Sequence, residues 1–76
     1  MRVTPVKKER LRALGARLRS VRLATGMSQQ DLAHKIDKDQ QSIQRLEAGG
    51  VNPSFLYLEE VCEGLGTTIG NLTDGL

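Results

Sequence analysis

The spacing of apolar residues along the chain predicts helices and no strand. Between Glu9 and Thr25, apolar side chains recur at intervals of three and four residues, as on one face of an amphipathic helix. The members of this face are Leu11, Leu14, Leu18 and Val21. Leu23 lies off the face, and Gly26 is the expected residue after the helix, where a left-handed backbone favours glycine.

Two short helices are expected next, joined by a tight polar turn. Ser28 and Asp31 have the spacing of a capping box, which predicts a helix from Gln29 to about Ile36. Its inner face consists of Leu32, Ala33 and Ile36. After the turn at residues 37–39, Asp39 is a candidate N-cap for a third helix, 40–48, ended by Gly49 and Gly50.

A fourth helix is expected after Asn52-Pro53, because a capping residue followed by proline is a typical helix start. Its inward face is predicted to contain Phe55, Leu58, Val61, Cys62 and Leu65. Gly66 would end it, and Thr68 can cap a last short segment that holds Ile69 and Leu72. The predicted fold class is therefore all-α, a compact bundle of four to five helices.

The first eight residues, MRVTPVKK, show no helical period, and Pro5 disfavours helix. We therefore predict a flexible basic arm over residues 1–8 in front of a single domain over residues 9–76. The arm has three open interpretations: it follows the phosphate backbone, enters a minor groove, or has no fixed structure.

Composition excludes several classes of protein. The 76-residue chain has one cysteine and no apolar run near the roughly 20 residues of a membrane span, so we expect a cytoplasmic protein with no membrane contact and no disulfide. His34 and Cys62 alone cannot complete a zinc site, and no catalytic pairing or phosphate loop is evident. We therefore expect no enzyme activity, metal, other cofactor or small-molecule ligand.

The net charge of +2 conceals an uneven distribution. Residues 1–25 contain eight Lys and Arg but one acid, whereas residues 26–76 contain three Lys and Arg and eight acids. A polyanion would attract one end of this chain and repel the other. A basic helix face that is merely solvated is the alternative interpretation.

The third helix has two opposite faces. At about 100° per residue, Ile43 and Leu46 fall nearly opposite a polar stripe. That stripe consists of Gln40, Gln41, Gln44 and Arg45. Glutamine pairs bidentately with adenine and arginine with guanine in the major groove of DNA. The alternative is that these residues are exposed only because they favour helix formation and have no function. The third helix, however, follows another helix and a three-residue turn, and this position favours a role in reading bases.

Residues 14–72 resemble the helix-turn-helix domain of the phage repressor and Cro family, also called the xenobiotic response element type. The matching segments are LGARLRSVRLATGMSQQDLA, QQSIQRLEAG and NPSFLYLEEVCEGLG. The resemblance implies a lambda-repressor-like fold in which Gln40, Gln41 and Arg45 read bases, and Gln44 contacts bases or backbone. It also implies that Gln29 contacts a phosphate and braces the recognition helix, and that Ser42, like Gln44, contacts the backbone or bases; we assign Ser42 to the backbone.

Further residues are candidates for contacts with the DNA backbone or for support of the fold. Arg19, Lys38 and Asn52 complete the set expected to contact phosphates. The resemblance implies a buried ion pair between Arg22 and Glu47. It also places Asp37 where the family usually has glycine, and aspartate tolerates a left-handed backbone better than most other residues.

The expected function is a transcriptional regulator, in particular a repressor that binds a pseudo-palindromic operator in double-stranded DNA as a homodimer. Dimerisation would use helix four, the last segment and the side chains of Leu56, Tyr57 and Leu76. The alternative is an antitoxin that binds a toxin protein and represses its own operon. A domain of a longer regulator is a third interpretation.

Overall fold

The computed structural model describes residues 4–76, which form five helices and no strand. They are α1 (Pro5–Ala24), α2 (Gln29–Lys35), α3 (Gln40–Glu47), α4 (Phe55–Leu65) and α5 (Ile69–Thr73). The all-α fold predicted from the spacing of apolar residues is confirmed. None of the helices within residues 4–76 is long and apolar enough to cross a membrane.

Helix α1 begins one turn earlier than the sequence pattern indicated. Thr4 is the N-cap, and its hydroxyl accepts a hydrogen bond of 3.2 Å from the backbone N–H of Lys7. Pro5 occupies the first helical position, where its missing N–H removes no helical bond. The expected start near Glu9 is wrong, and residues 5–8 of the expected arm are the first turn of α1. Residues 1–3 of that arm lie outside the described residues.

Helices α2 and α3 form the expected helix-turn-helix unit. Ser28 and Asp31 make a complete capping box with hydrogen bonds of 3.0 Å in each direction. Asp39 caps α3 by accepting a 2.8 Å hydrogen bond from the backbone N–H of Ser42. In the turn between them, Asp37 has a φ of 58°, the left-handed conformation expected at this position.

The start of α4 differs from the expectation. Its N-cap is Ser54, two residues after the expected cap Asn52, and the Ser54 hydroxyl accepts a hydrogen bond from the backbone N–H of Tyr57 at 3.1 Å. Phe55 therefore stands at the first position of the helix and is 65% exposed. The prediction that Phe55 faces inward is wrong, because a side chain at this end of the helix projects past the packed part of α4.

The core is almost entirely aliphatic and receives side chains from all five helices. Its buried members are Leu18, Leu32, Ala33, Ile43, Leu46, Val61, Cys62, Leu65 and Leu72. Helix α3 packs against both α1 and α2, α5 against α1 and α4, and α4 also against α2. The core therefore contacts α3 along one side and keeps the helix in place.

Helix α1 packs so closely on the end of α3 that the two backbones nearly touch. A Cβ atom on Gly15 would lie 2.6 Å from the carbonyl oxygen of Leu46, and one on Gly49 would lie 2.8 Å from the backbone of Arg12. Only glycine permits such an approach without displacing a backbone. The two glycines thus set the separation of α1 and α3.

Candidate nucleic-acid interface

Helix α3 is divided into an anchored face and an exposed face. Ile43 is 0% exposed and Leu46 is 1% exposed, and both belong to the core. The four side chains of the polar stripe, Gln40, Gln41, Gln44 and Arg45, are all exposed. Three amides and a guanidinium therefore project from a helix that the core holds in place.

The C-terminal end of α3 is tied to two other elements through the carboxylate of Glu47. Its Oε2 accepts a 2.6 Å hydrogen bond from Arg22 Nε, and its Oε1 accepts a 2.9 Å bond from Arg22 Nη2. Arg22 Nη1 also donates to the backbone carbonyl of Met27 at 2.8 Å. The pair that the family resemblance implied is present, and it links α1, α3 and the segment before α2.

Both partners of this pair are buried, with side chains 6% and 5% exposed. The hydrogen bond to Glu47 raises the pKa of Arg22, whereas its burial acts in the opposite direction. A bidentate arginine–carboxylate pair fixes a mutual orientation as well as a distance. The pair therefore determines how α3 is rotated relative to α1.

Gln29, at the first position of α2, braces the same carboxylate. Its Nε2 donates a 3.1 Å hydrogen bond to Glu47 Oε1, and its side chain is partly buried. The bracing role implied by the resemblance therefore has a visible counterpart. The contact with a phosphate stays a prediction.

The turn before α3 combines a left-handed residue with charge of both signs. The backbone N–H of Lys38 donates to the carbonyl of Ala33 at 2.8 Å, which closes the turn after α2. The backbone hydrogen bond from Ser42 lowers the pKa of Asp39, so its carboxylate stays ionised. The turn thus keeps the negative charge of Asp39 next to the first turn of α3.

Lys38 has partners that the sequence pattern did not indicate. Its Nζ lies 3.4 Å from Glu60 Oε2 and 5.8 Å from the centroid of the Tyr57 ring, both on α4. The spacing of Tyr57 and Glu60, three residues apart on one helix, places them on one face. Only the folded arrangement brings that face to the turn before α3.

The basic residues of α1 divide between two sides of the helix. Arg17 Nη1 donates to the carbonyls of Leu72 and Asp74 at 2.9 Å each, and Arg10 Nη2 donates to that of Leu76 at 3.3 Å. These two arginines fasten the C-terminal segment to α1, a role that the charge pattern did not reveal.

Arg12 and Arg19 lie on the other side of α1. They are three and four residues from Gly15 and so share its helix face, which meets the end of α3. Both side chains are exposed. Two further residues are expected to contact the DNA backbone. Ser42 is partly buried in the first turn of α3, and Asn52 is exposed in the loop after that helix.

The single histidine and the single cysteine of the chain lie in different surroundings. His34 is exposed on α2, and burial raises the pKa of the Cys62 thiol, which sits in the core. No group of three or more His, Cys, Asp or Glu side chains within residues 4–76 is arranged to hold a metal ion.

Comparison with known proteins assigns this geometry to a family. Residues 18–72 match the helix-turn-helix family, and the chain belongs to this family, in its Cro/C1-type branch of non-enzymatic, DNA-binding transcriptional regulators. The match begins within α1 and ends within α5, so it includes the core, the ion pair and all of α2 and α3.

Two solved proteins share this fold. The clp gene regulator ClgR of Corynebacterium glutamicum is 33% identical over 80% of this chain and 78% of its own, with a TM-score of 0.78. A mutant of the restriction-modification controller protein C.Esp1396I is 28% identical over 84% of this chain and 85% of its own, with a TM-score of 0.78. The same controller protein is also known as a tetramer in complex with its natural 35-base-pair operator, with a TM-score of 0.77 and 28% identity.

Proposed function

We propose that this protein is a sequence-specific repressor that inserts α3 into the major groove of a pseudo-palindromic operator as a homodimer. The observation that carries the proposal is the exposed amide and guanidinium face on a helix that a buried ion pair holds in place. In this proposal Gln40, Gln41, Gln44 and Arg45 read base edges. Each well-formed bidentate pair with a base is worth about 1–3 kcal/mol of discrimination.

The contacts with the DNA backbone come from elements on both sides of α3. Gln29, Lys38 and Ser42 precede or begin the helix, whereas Arg19 of α1 and Asn52 lie near its end. Contacts on both sides would set the register of α3 in the groove without reading sequence. In this proposal the cytoplasm remains the expected compartment, because a single unpaired cysteine suits a reducing environment.

A homodimer follows from the length of the reading element. The eight residues of α3 reach only a few base pairs, and high affinity requires two half-sites about one helical turn apart. Phe55 and Leu56, 65% and 68% exposed near the start of α4, extend the dimer surface expected on α4 and the last segment. Tyr57 and Leu76, expected in the same surface, are partly buried. The operator-bound tetramer of the controller protein is compatible with self-association.

The test is a selection of bound sequences from random double-stranded DNA, followed by binding measurements on variants. Gln41→Ala and Arg45→Ala are each expected to reduce discrimination between the selected sequence and single-base changes by about 1–3 kcal/mol per half-site. Gln30→Ala removes an exposed amide from α2 that has no assigned contact with DNA or with a second protomer, and is the matched control. Full discrimination by both α3 variants would rule out the assigned base readers.

The antitoxin alternative makes a different prediction about the protein partner. A repressor is expected to sediment as a homodimer when purified and to bind selected DNA without another protein. An antitoxin would instead form a stoichiometric complex with a second chain from its host. Both alternatives use the exposed face of α3 to bind DNA, and we place the repressor first because it requires no second protein.

A further inference from the structure

Lys38 is the only cation in the turn before α3, and it lies between two carboxylates in the sequence, Asp37 and Asp39. It is also a proposed contact with the DNA backbone. Its ammonium, however, is already engaged: Nζ is 3.4 Å from Glu60 Oε2 and 5.8 Å from the centre of the Tyr57 ring. The turn's positive charge is therefore held by α4 when no DNA is bound.

The surface that holds the ammonium is built into α4. Tyr57 is partly buried, and its hydroxyl oxygen is buried with no hydrogen-bond partner among residues 4–76. An aromatic ring beneath an ammonium attracts it through the electron density of its face. Tyr57 therefore provides a fixed platform, and Glu60, one turn along the same face, provides the opposing charge.

The contact is weak enough to be exchanged. The side chains of Lys38 and Glu60 are 38% and 48% exposed, and exposed ion pairs change an equilibrium by about fivefold at most. A DNA phosphate carries a full negative charge, and its neutralisation also releases counterions. Phosphate and Glu60 would therefore compete for one ammonium. Lys38 can bind the phosphate only when it has left Glu60.

We propose that Glu60 regulates the DNA affinity of this protein by competing with a backbone phosphate for Lys38. On binding DNA, Lys38 leaves Glu60 and the Tyr57 ring and turns to the phosphate. Glu60 does not contact DNA and acts only through Lys38. This inference rests on the proposed function, because it specifies how the same interface is adjusted.

The first test compares Glu60→Gln with Glu59→Gln, which makes the same change of charge on the neighbouring exposed residue of α4. Glu60→Gln should tighten binding to the selected operator by about two- to fivefold per half-site more than Glu59→Gln does. In a Lys38→Ala background this difference should vanish. Equal effects of the two variants, or a difference that persists without Lys38, would overturn the competition. Failure of the unmodified protein to bind any selected DNA would instead reject the proposed function itself.

The second test observes Lys38 directly by NMR. In the free protein, the Tyr57 ring should shift the Lys38 ε-methylene protons upfield, and Tyr57→Leu should abolish the shift. Addition of the selected operator should also remove it, because Lys38 leaves the ring. Retention of the shift in the DNA complex would contradict the exchange, whatever the affinities of the variants.

Discussion

At the scale of single residues, the buried Arg22–Glu47 pair determines how α3 is presented. Two hydrogen bonds of 2.6 and 2.9 Å join the guanidinium to the carboxylate, and Gln29 adds a third at 3.1 Å. Moving two charges out of water has a free-energy cost that offsets much of their mutual attraction. We therefore attribute to the pair the orientation of α3 more than net stability.

This interpretation predicts different outcomes for single and double substitutions. Arg22→Met alone should lower the free energy of unfolding by about 3–5 kcal/mol, because Glu47 is left buried without its partner. Arg22→Met combined with Glu47→Leu should recover most of that loss in urea denaturation. The double variant should nevertheless discriminate less between operator sequences, since Gln29 loses its acceptor on α3. Recovery of stability together with full discrimination would show that the pair does not orient the helix.

Several residue roles could be predicted from the chain, and the failures have physical causes. The caps Ser28, Asp39 and Thr68 act within four residues of sequence, and all three were predicted correctly. Pro5 was interpreted as a helix breaker although Thr4 before it supplies a cap. The contacts of Arg17 with two carbonyls and of Lys38 with Glu60 join residues distant in sequence, so no local pattern indicated them.

At the scale of elements, the packing of α1 on the end of α3 depends on Gly15. Its Cα faces the last backbone carbonyls of α3, where a Cβ would lie 2.6 Å from the oxygen of Leu46. Backbone atoms cannot rotate away as a flexible side chain does. Any larger residue at this position would therefore have to separate two helices.

Gly15→Ala should consequently destabilise the domain although alanine is the better helix former. We expect the free energy of unfolding to fall by about 1–3 kcal/mol, as in other overpacked interiors. Gly70→Ala is the control, because its nearest neighbour would be the Thr68 hydroxyl at an ordinary 3.8 Å. That control should gain up to about 1 kcal/mol from helix propensity. Thermal or urea denaturation of both variants measures these changes in the free energy of unfolding. Equal changes in the two variants would exclude a steric cause.

The elements themselves were more predictable than the interfaces between them. Helices α2 and α3 follow from apolar spacing and caps to within one residue at each end, because their signals are local. The start of α4 was placed too early because Asn52 and Ser54 can both cap a helix. Only the structure identifies Ser54 as the residue that does so.

At the scale of the whole molecule, four exposed or partly buried arginines of α1 are divided between two sides of the helix. Arg12 and Arg19 share the side of α1 that meets the end of α3, whereas Arg10 and Arg17 bind the C-terminal segment. From Val51 onward the chain has four acids and no Lys or Arg. The excess of basic residues near the N-terminus therefore does not act as a single patch.

Two arginines of the same helix test this division. Arg19→Gln should reduce the slope of log affinity against log salt concentration by about 0.9 per protomer, because one phosphate contact is lost. Arg10→Gln removes the same charge from the opposite side and should leave the slope nearly unchanged. Titrations of the selected operator at several salt concentrations measure both. Equal slopes for the two variants would mean that α1 acts only through its net charge.

The separation of buried and exposed faces on α3 has a consequence for the evolution of the protein. Ile43, Leu46 and Glu47 carry the folding contacts of this helix, and none of them belongs to the exposed stripe. Substitutions within the stripe can therefore accumulate with little cost to the scaffold. With the proposed base readers in this stripe, a duplicated copy of the gene could acquire a new target site in a few such steps. The same four positions are then the natural ones to randomise in a library of altered specificity.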